Sequence, residues 1–156
     1  MGQAETRGEW VLPSPALTAV TLGVADVPAS ARFYEALGFE RKFRAAGDEI
    51  AFFDAGGVVL ALWDWKKLAD DAAEAEQPGP RAFRGSTLAW NCKTPEEVEA
   101  AFAKALAAGG RLLRKPDKTD YGGYRGYFAD LDGHCWEVVQ APGFGFTDDG
   151  RLILPD

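Results

Sequence analysis

Residues 21–40 read TLGVADVPASARFYEALGFE. The opening of this stretch belongs to a longer run, PALTAVTLGVA at 15–25, where small and aliphatic residues alternate as in a β-strand. Asp26 and Pro28 then open a short helix, ASARFYEAL, with Phe33, Tyr34 and Leu37 on its apolar side. Gly38 is well placed to end it. A strand feeding straight into one amphipathic helix begins a unit, and the following residues say how the unit is completed.

Three strand-like runs complete it: FERKF (39–43), EIAFFDA (49–55) and VVLALW (58–63), the last two joined across Gly56-Gly57. A helical segment, KKLADDA (66–72), leads into AEAEQPGPRAFRG (73–85), which has a linker's composition. Then the order recurs. STLAWNC (86–92) reads as a strand, and Thr94-Pro95-Glu96-Glu97 supplies a capping box with proline at the first helical position. Val98, Ala101, Phe102, Ala105 and Leu106 form the apolar stripe of the helix, which Gly109-Gly110 stops. RLLRKP, YRGYFAD and HCWEVVQ follow as three more strands, with the turn LDG before the last.

The repeat period of about 70 residues is too long for a solenoid and suits a duplicated βαβββ module. The expected class is therefore α+β. Residues 1–12 form an N-terminal tail, 13–72 the first module, 73–85 the linker, 86–141 the second module and 142–156 a C-terminal tail. In each module one helix covers one face of a small sheet, so the other face must find a partner or line a cavity.

The 156 residues suffice for one ordinary domain, and a chain of this size buries roughly 70% of its extended surface without needing a disulfide or metal. Hydrophobic content of 47% and charged content of 26% describe a soluble globular protein. The net charge of −7 argues against nucleic acid, whose phosphates demand cations, and favours cationic partners. The longest apolar run, VVLALW, is too short to cross a bilayer, and residues 1–12 lack the apolar core of a signal peptide. The start MGQAET fits the loose acylation pattern at Gly2, but no basic cluster accompanies it and a disordered tail is the simpler reading. Cys92 and Cys135 show no CxxC spacing, which suits buried thiols in a reducing, cytoplasmic compartment.

Two stretches, TLGVADVPASARFYEALGFE and YGGYRGYFADLDGHCWEVVQAP (121–142), resemble the opening and closing segments of the vicinal oxygen chelate superfamily. That group holds glyoxalase-like isomerases, extradiol dioxygenases, fosfomycin-modifying transferases and bleomycin-resistance proteins. The resemblance covers residues 15–142 and implies paired modules forming a cupped mixed sheet. In catalytic members the cup holds one divalent metal, bound from the first and last strand of each module. Carried onto this chain, the first-strand ligand positions fall at Ala19 and Trp90, and GVVLALW offers no ligating side chain. Only Glu137 matches a ligand position.

The sole histidine, His134, precedes Glu137 by three residues, so on a strand the two point to opposite faces and cannot converge on one ion. His134 sits at a turn-to-strand junction, where an imidazole can tie down backbone carbonyls. Glu137 has two open accounts: a desolvated carboxylate meeting a ligand, or the partner of a Trp90 indole filling the metal's former space. Trp90, sharing a face with Leu88 and Cys92, is expected to point into the cup as core filler or as a stacking platform. If Trp90 lies near Glu137 on adjacent strands, Cys92 and Cys135 step away in opposite directions and lie roughly 13 Å apart, beyond disulfide reach, at ~3.3 Å per residue.

Tyr121, Tyr124 and Arg125 surround the glycines of DYGGYRGY, which are no dinucleotide loop and instead permit bending or close approach. The loop is a candidate rim for the cup. Phe144, Phe146, Leu152 and Ile153 make the tail apolar enough to pack on a partner subunit or on the cup's mouth.

These residues point to a metal-free small-molecule binder of the bleomycin-resistance type, without a cofactor and homodimeric, sequestering a planar or cationic compound. Its ligand-binding set is Trp90, Glu137, Tyr124, Arg125, Tyr121 and Trp63. The alternative is a glyoxalase-like isomerase or lyase, or a dioxygenase, with a degenerate metal site and Glu137 as the catalytic proton carrier. A scaffold with a filled cup, acting through its surface, is a third reading.

Overall fold

The computed structural model describes residues 15–72 and 82–156. The N-terminal tail with its Gly2 pattern and most of the expected linker lie outside these residues.

The first module runs β1 (Ala19–Val24), α1 (Val27–Leu37), β2 (Glu40–Lys42), β3 (Ile50–Asp54) and β4 (Val59–Asp64), followed by α2 (Trp65–Asp71). The second runs β5 (Thr87–Asn91), α3 (Pro95–Ala107), β6 (Arg111–Lys118), β7 (Tyr124–Ala129) and β8 (Cys135–Gln140). Each module is a four-stranded mixed sheet, ordered β1-β4-β3-β2 and β5-β8-β7-β6. In both, the first and last strands are parallel neighbours, the geometry a strand–helix crossover produces. The α+β class and the duplicated βαβββ order are those expected from the sequence.

Local chemistry sets the helix ends. Asp26 caps α1 by accepting from the Ala29 amide at 2.9 Å, and Gly38 closes it at φ 103°. Thr94 accepts from the Glu97 amide at 3.1 Å. Glu97 reaches back to the amide of Lys93 at 2.7 Å, one residue before the cap, so the capping box forms in a slightly extended version.

One core serves both modules. Tyr34 on α1 touches Phe53 of the first sheet (centroids 6.1 Å apart) and Trp136 of the second (5.9 Å). Phe33 meets Phe128 at 6.4 Å, and Phe102 on α3 meets the same ring edge-on at 6.2 Å. The helix-facing sides of both sheets thus share a single apolar cluster, with Tyr34, Phe53 and Phe128 all but fully buried.

The segment Asp130–Trp136 fastens the second module to the first. Asp132 Oδ1 accepts from the Ala25 amide at 2.8 Å, and His134 Nε2 lies 2.7 Å from the Gly23 carbonyl. The Tyr34 hydroxyl donates to Asp130 Oδ2 at 2.5 Å and accepts from Trp136 Nε1 at 3.1 Å. Asp130 uses its other oxygen to hold the turn, accepting from the amides of Asp132 and His134. A carbonyl opposite Nε2 and the Arg84 guanidinium 3.1 Å from Nδ1 assign the neutral Nε2–H tautomer. The carbonyl-tying role expected of His134 is the one it has here, and its carbonyl belongs to the other module.

The C-terminal tail forms a hairpin, β9 (Gly145–Phe146) with β10 (Leu152–Ile153). Arg151 packs over Gly57, where a Cβ would stand 2.7 Å from the guanidinium Nε and φ is +106°. Between its two proposed destinations, the tail takes the mouth of a cleft in its own chain.

Candidate functional site

Strand register decides which side chains meet. In the parallel pair β5–β8, Ala89 lies opposite Glu137 and Trp90 opposite Val138. Residues opposite one another share a face, so Trp90 lies on the core side with Trp136 and Val138, and Glu137 on the far side. Trp90 packs against Phe39 at 5.7 Å. The expectation that the Trp90 indole fills a cup beside Glu137 is therefore corrected: the register, which the sequence does not encode, sends the two to opposite faces.

Tyr124 likewise lies apart from Glu137. It lies on the helix side of β7, packs against the core and donates its hydroxyl to Glu99 on α3. Arg125 falls on Glu137's face, as does Tyr127, the antiparallel partner of Glu137. Burial first, then the charge and hydrogen bond of Glu137, pushes the Tyr127 phenol above its usual range. Tyr121 contributes to the same electrostatic environment and is exposed. The far face of the second sheet thus gathers Glu137, Tyr127, Arg125 and Tyr121. One terminal nitrogen of Arg125 is buried there without a partner. Trp63, half-buried, lies on the equivalent face of the first sheet, opposite Gly23 and Ile50.

The donor set on these faces does not suit the metal of the family's catalytic members. The first sheet's far face presents Ala19, Thr21, Ala61 and Trp63 on β1 and β4, with the carboxylates of Glu40 and Asp54 at its β2–β3 end, and the second presents Thr87, Ala89 and one carboxylate, Glu137, on β5 and β8. Among the described residues no three histidine, cysteine, aspartate or glutamate side chains converge.

The glycines of DYGGYRGY act through close approach. A Cβ on Gly126 would stand 2.9 Å from the Pro116 ring, where a register shift brings β6 against β7. The two cysteines are free, Cys92 buried and Cys135 half-buried.

A cleft of about 1010 Å³ lies between the modules. Phe39, Trp90, Trp136 and Leu60 give it apolar walls, and Phe146 and Leu152 of the hairpin stand at its mouth. Phe39 is central, with its ring 5.7 Å from both tryptophans. Among the charged groups lining the cleft, Glu40, Asp54 and Asp149 outnumber Arg151. Sequence reasoning identified Trp90 but missed Phe39, Trp136 and Tyr127. The first two bear on the cleft only because α1 ends beside the second sheet.

A crystal structure of a glyoxalase-related enzyme from Fulvimarina pelagi superposes with a TM-score of 0.80 at 38% identity, covering 90% of this chain and 99% of that one. An uncharacterized protein of Mycolicibacterium smegmatis is 33% identical over 97 residues, 62% of this chain and 70% of its own length. A leucine–tRNA ligase of Rhodococcus jostii is 32% identical over 114 residues. That match takes in 67% of this chain but spans only 12% of the ligase. No helix among the described residues is long and apolar enough to cross a membrane. Residues 16–138 match the model of the Glyoxalase/Bleomycin resistance protein/Dioxygenase superfamily, and the chain belongs to that family.

Proposed function

We propose that the chain is a small-molecule-binding protein of this superfamily that holds a planar, cationic compound in the cleft between its modules, without a metal. The observation that carries this reading is the aromatic cleft, in which Trp90 and Trp136 flank Phe39 above a rim richer in acids than in bases. Its volume of about 1010 Å³ is ample for a drug-sized molecule. Aromatic faces attract a flat cation through their quadrupoles, and the rim carboxylates add a field of the same preference. Free thiols agree with action in the cytoplasm, a reducing compartment.

Tryptophan-fluorescence titration with planar aromatic cations and a bleomycin-type glycopeptide tests this reading. Saturable quenching by at least one probe supports it, with affinity falling at least tenfold in Trp90→Ala. Absence of saturation by every probe contradicts it.

A second reading rests on the far face of the second sheet. Glu137, paired with Tyr127 across the β7–β8 ladder and on the same face as Arg125, is a carboxylate placed to move a proton on a bound substrate, as in a glyoxalase-like isomerase or lyase. Glu137, Tyr127 and Arg125 are only half-buried in a single chain, and a second copy would cover them, which is the homodimer this reading requires. Light scattering that returns the mass of one chain at working concentration contradicts the dimer.

A further inference from the structure

A smaller cavity of about 390 Å³ lies at the other end of the seam between β1 and β5. Its walls are apolar where Val20, Leu68, Ala72 and Leu88 line it, and polar where Arg84 and Ser86 do. The Arg84 guanidinium is half-buried and firmly held. One terminal nitrogen donates to the Asp132 carbonyl at 2.7 Å, the other meets His134 Nδ1 at 3.1 Å, and the plane lies 4.4 Å over the Trp65 ring. His134 stacks on the same indole at 5.6 Å.

Two features of this arrangement ask for a ligand. Arg84 Nε is buried and makes no hydrogen bond. Both acceptors that Arg84 hydrogen-bonds are neutral, one carbonyl and one imidazole nitrogen, and the Asp132 carboxylate reaches it only through space, without a hydrogen bond. Asp132, the nearby acid, spends one carboxylate oxygen on the Ala25 amide. A buried donor without a partner is costly, and a fixed cation hydrogen-bonded only to neutral acceptors keeps an affinity for an anion. A guanidinium with both terminal nitrogens anchored still offers Nε–H and one further N–H side-on, the fork that a carboxylate accepts bidentately.

We propose that this cavity is a second binding site, selective for small carboxylates with a flat apolar body. The carboxylate pairs side-on with Arg84 and takes a further hydrogen bond from Ser86, while the ring lies against Leu68, Ala72 and Leu88. The anchoring of Arg84 by Asp132 and His134 fixes the fork before the ligand arrives, so little side-chain entropy is lost on binding. Because Asp132 and His134 also bond to the first module, the carboxylate bridges the joint between modules and reinforces it. The site is separate in chemistry from the larger cleft, whose rim carries the opposite preference.

Isothermal titration of the full chain with benzoate tests the proposal, with benzamidine and toluene as arms that keep the ring and change the head group. Benzoate is expected to saturate at one per chain, with benzamidine and toluene at least tenfold weaker. Arg84→Gln is expected to weaken benzoate at least tenfold. Leu68→Trp, which adds bulk to the cavity and replaces none of the residues that bond Arg84, is expected to abolish benzoate binding and to leave the cation titration of the larger cleft within twofold. Benzoate that fails to saturate, benzamidine binding as tightly as benzoate, or undiminished benzoate binding in Leu68→Trp overturns the proposal.

Discussion

Tyr34 on the first module's helix donates its hydroxyl to Asp130 of the second module at 2.5 Å, and the same oxygen accepts from Trp136 at 3.1 Å. One buried phenol thus satisfies an acid and an indole from the other half of the chain. Tyr34→Phe leaves both of those groups unpaired in the core. The expected cost is about 1–3 kcal/mol, seen as a lower midpoint in urea with an unchanged slope.

The same residue gives the protein an alkaline limit. Burial first, then the charge of Asp130, holds the Tyr34 phenol well above its ordinary value of 10.0. A raised folded-state value means that the folded chain keeps a proton the unfolded chain has lost. Its contribution is complete below pH 10 and is lost as pH rises above it. Unfolding free energy is expected to fall by about 1.4 kcal/mol per pH unit above pH 10 on account of this group. Urea titrations between pH 9 and 11, with Tyr34→Phe as the control lacking this component, measure it.

Asp132 separates hydrogen bonding from charge. Burial is the main cause that raises its carboxyl above the usual 3.8, and the Ala25 amide opposes the rise. Stability from this group is complete below that value and is lost as pH rises through the folded-state value, so at neutral pH the charge is a burden. Asp132→Asn keeps an acceptor for Ala25 and is expected to melt at the same temperature as the parent, or higher, at pH 7. Asp132→Ala removes the acceptor and is expected to cost about 1–2 kcal/mol. Calorimetric melting of the three proteins side by side checks both.

The two thiols should differ in reactivity. Burial, with a smaller push from Glu97, raises the Cys92 thiol to about 11, while Cys135 is half-buried. At pH 8 the folded chain is expected to yield at most one thiol to a disulfide reagent, and two after unfolding. Mass mapping should place the early label on Cys135.

Much of the fold was readable because its signals are local. Asp26, Gly38 and Thr94 each act within a few residues of their position, and the recurrence of strand, helix and three strands needs only spacing. Site assembly was less readable because it depends on register. Alternation along HCWEVVQ correctly separated His134 from Glu137, but nothing in the chain says that Ala89 rather than Trp90 lies opposite Glu137. Phe39 and Trp136 read as ordinary core residues. They became cleft walls because α1 packs against both sheets, a long-range consequence of the Asp130–Trp136 segment bonding to Gly23, Ala25 and Tyr34. Tyr127 carries a signal only in hindsight: it is two residues from Arg125, and hence on the same strand face.

A crystal structure of the chain with a bound planar cation tests the central claim most directly. The claim predicts ligand density against Phe39 and Trp90 in the cleft between the modules, and no cation coordinated at Glu137. Density for a metal held by Glu137 and two further protein atoms, with the ligand on that face and the aromatic cleft empty, contradicts it.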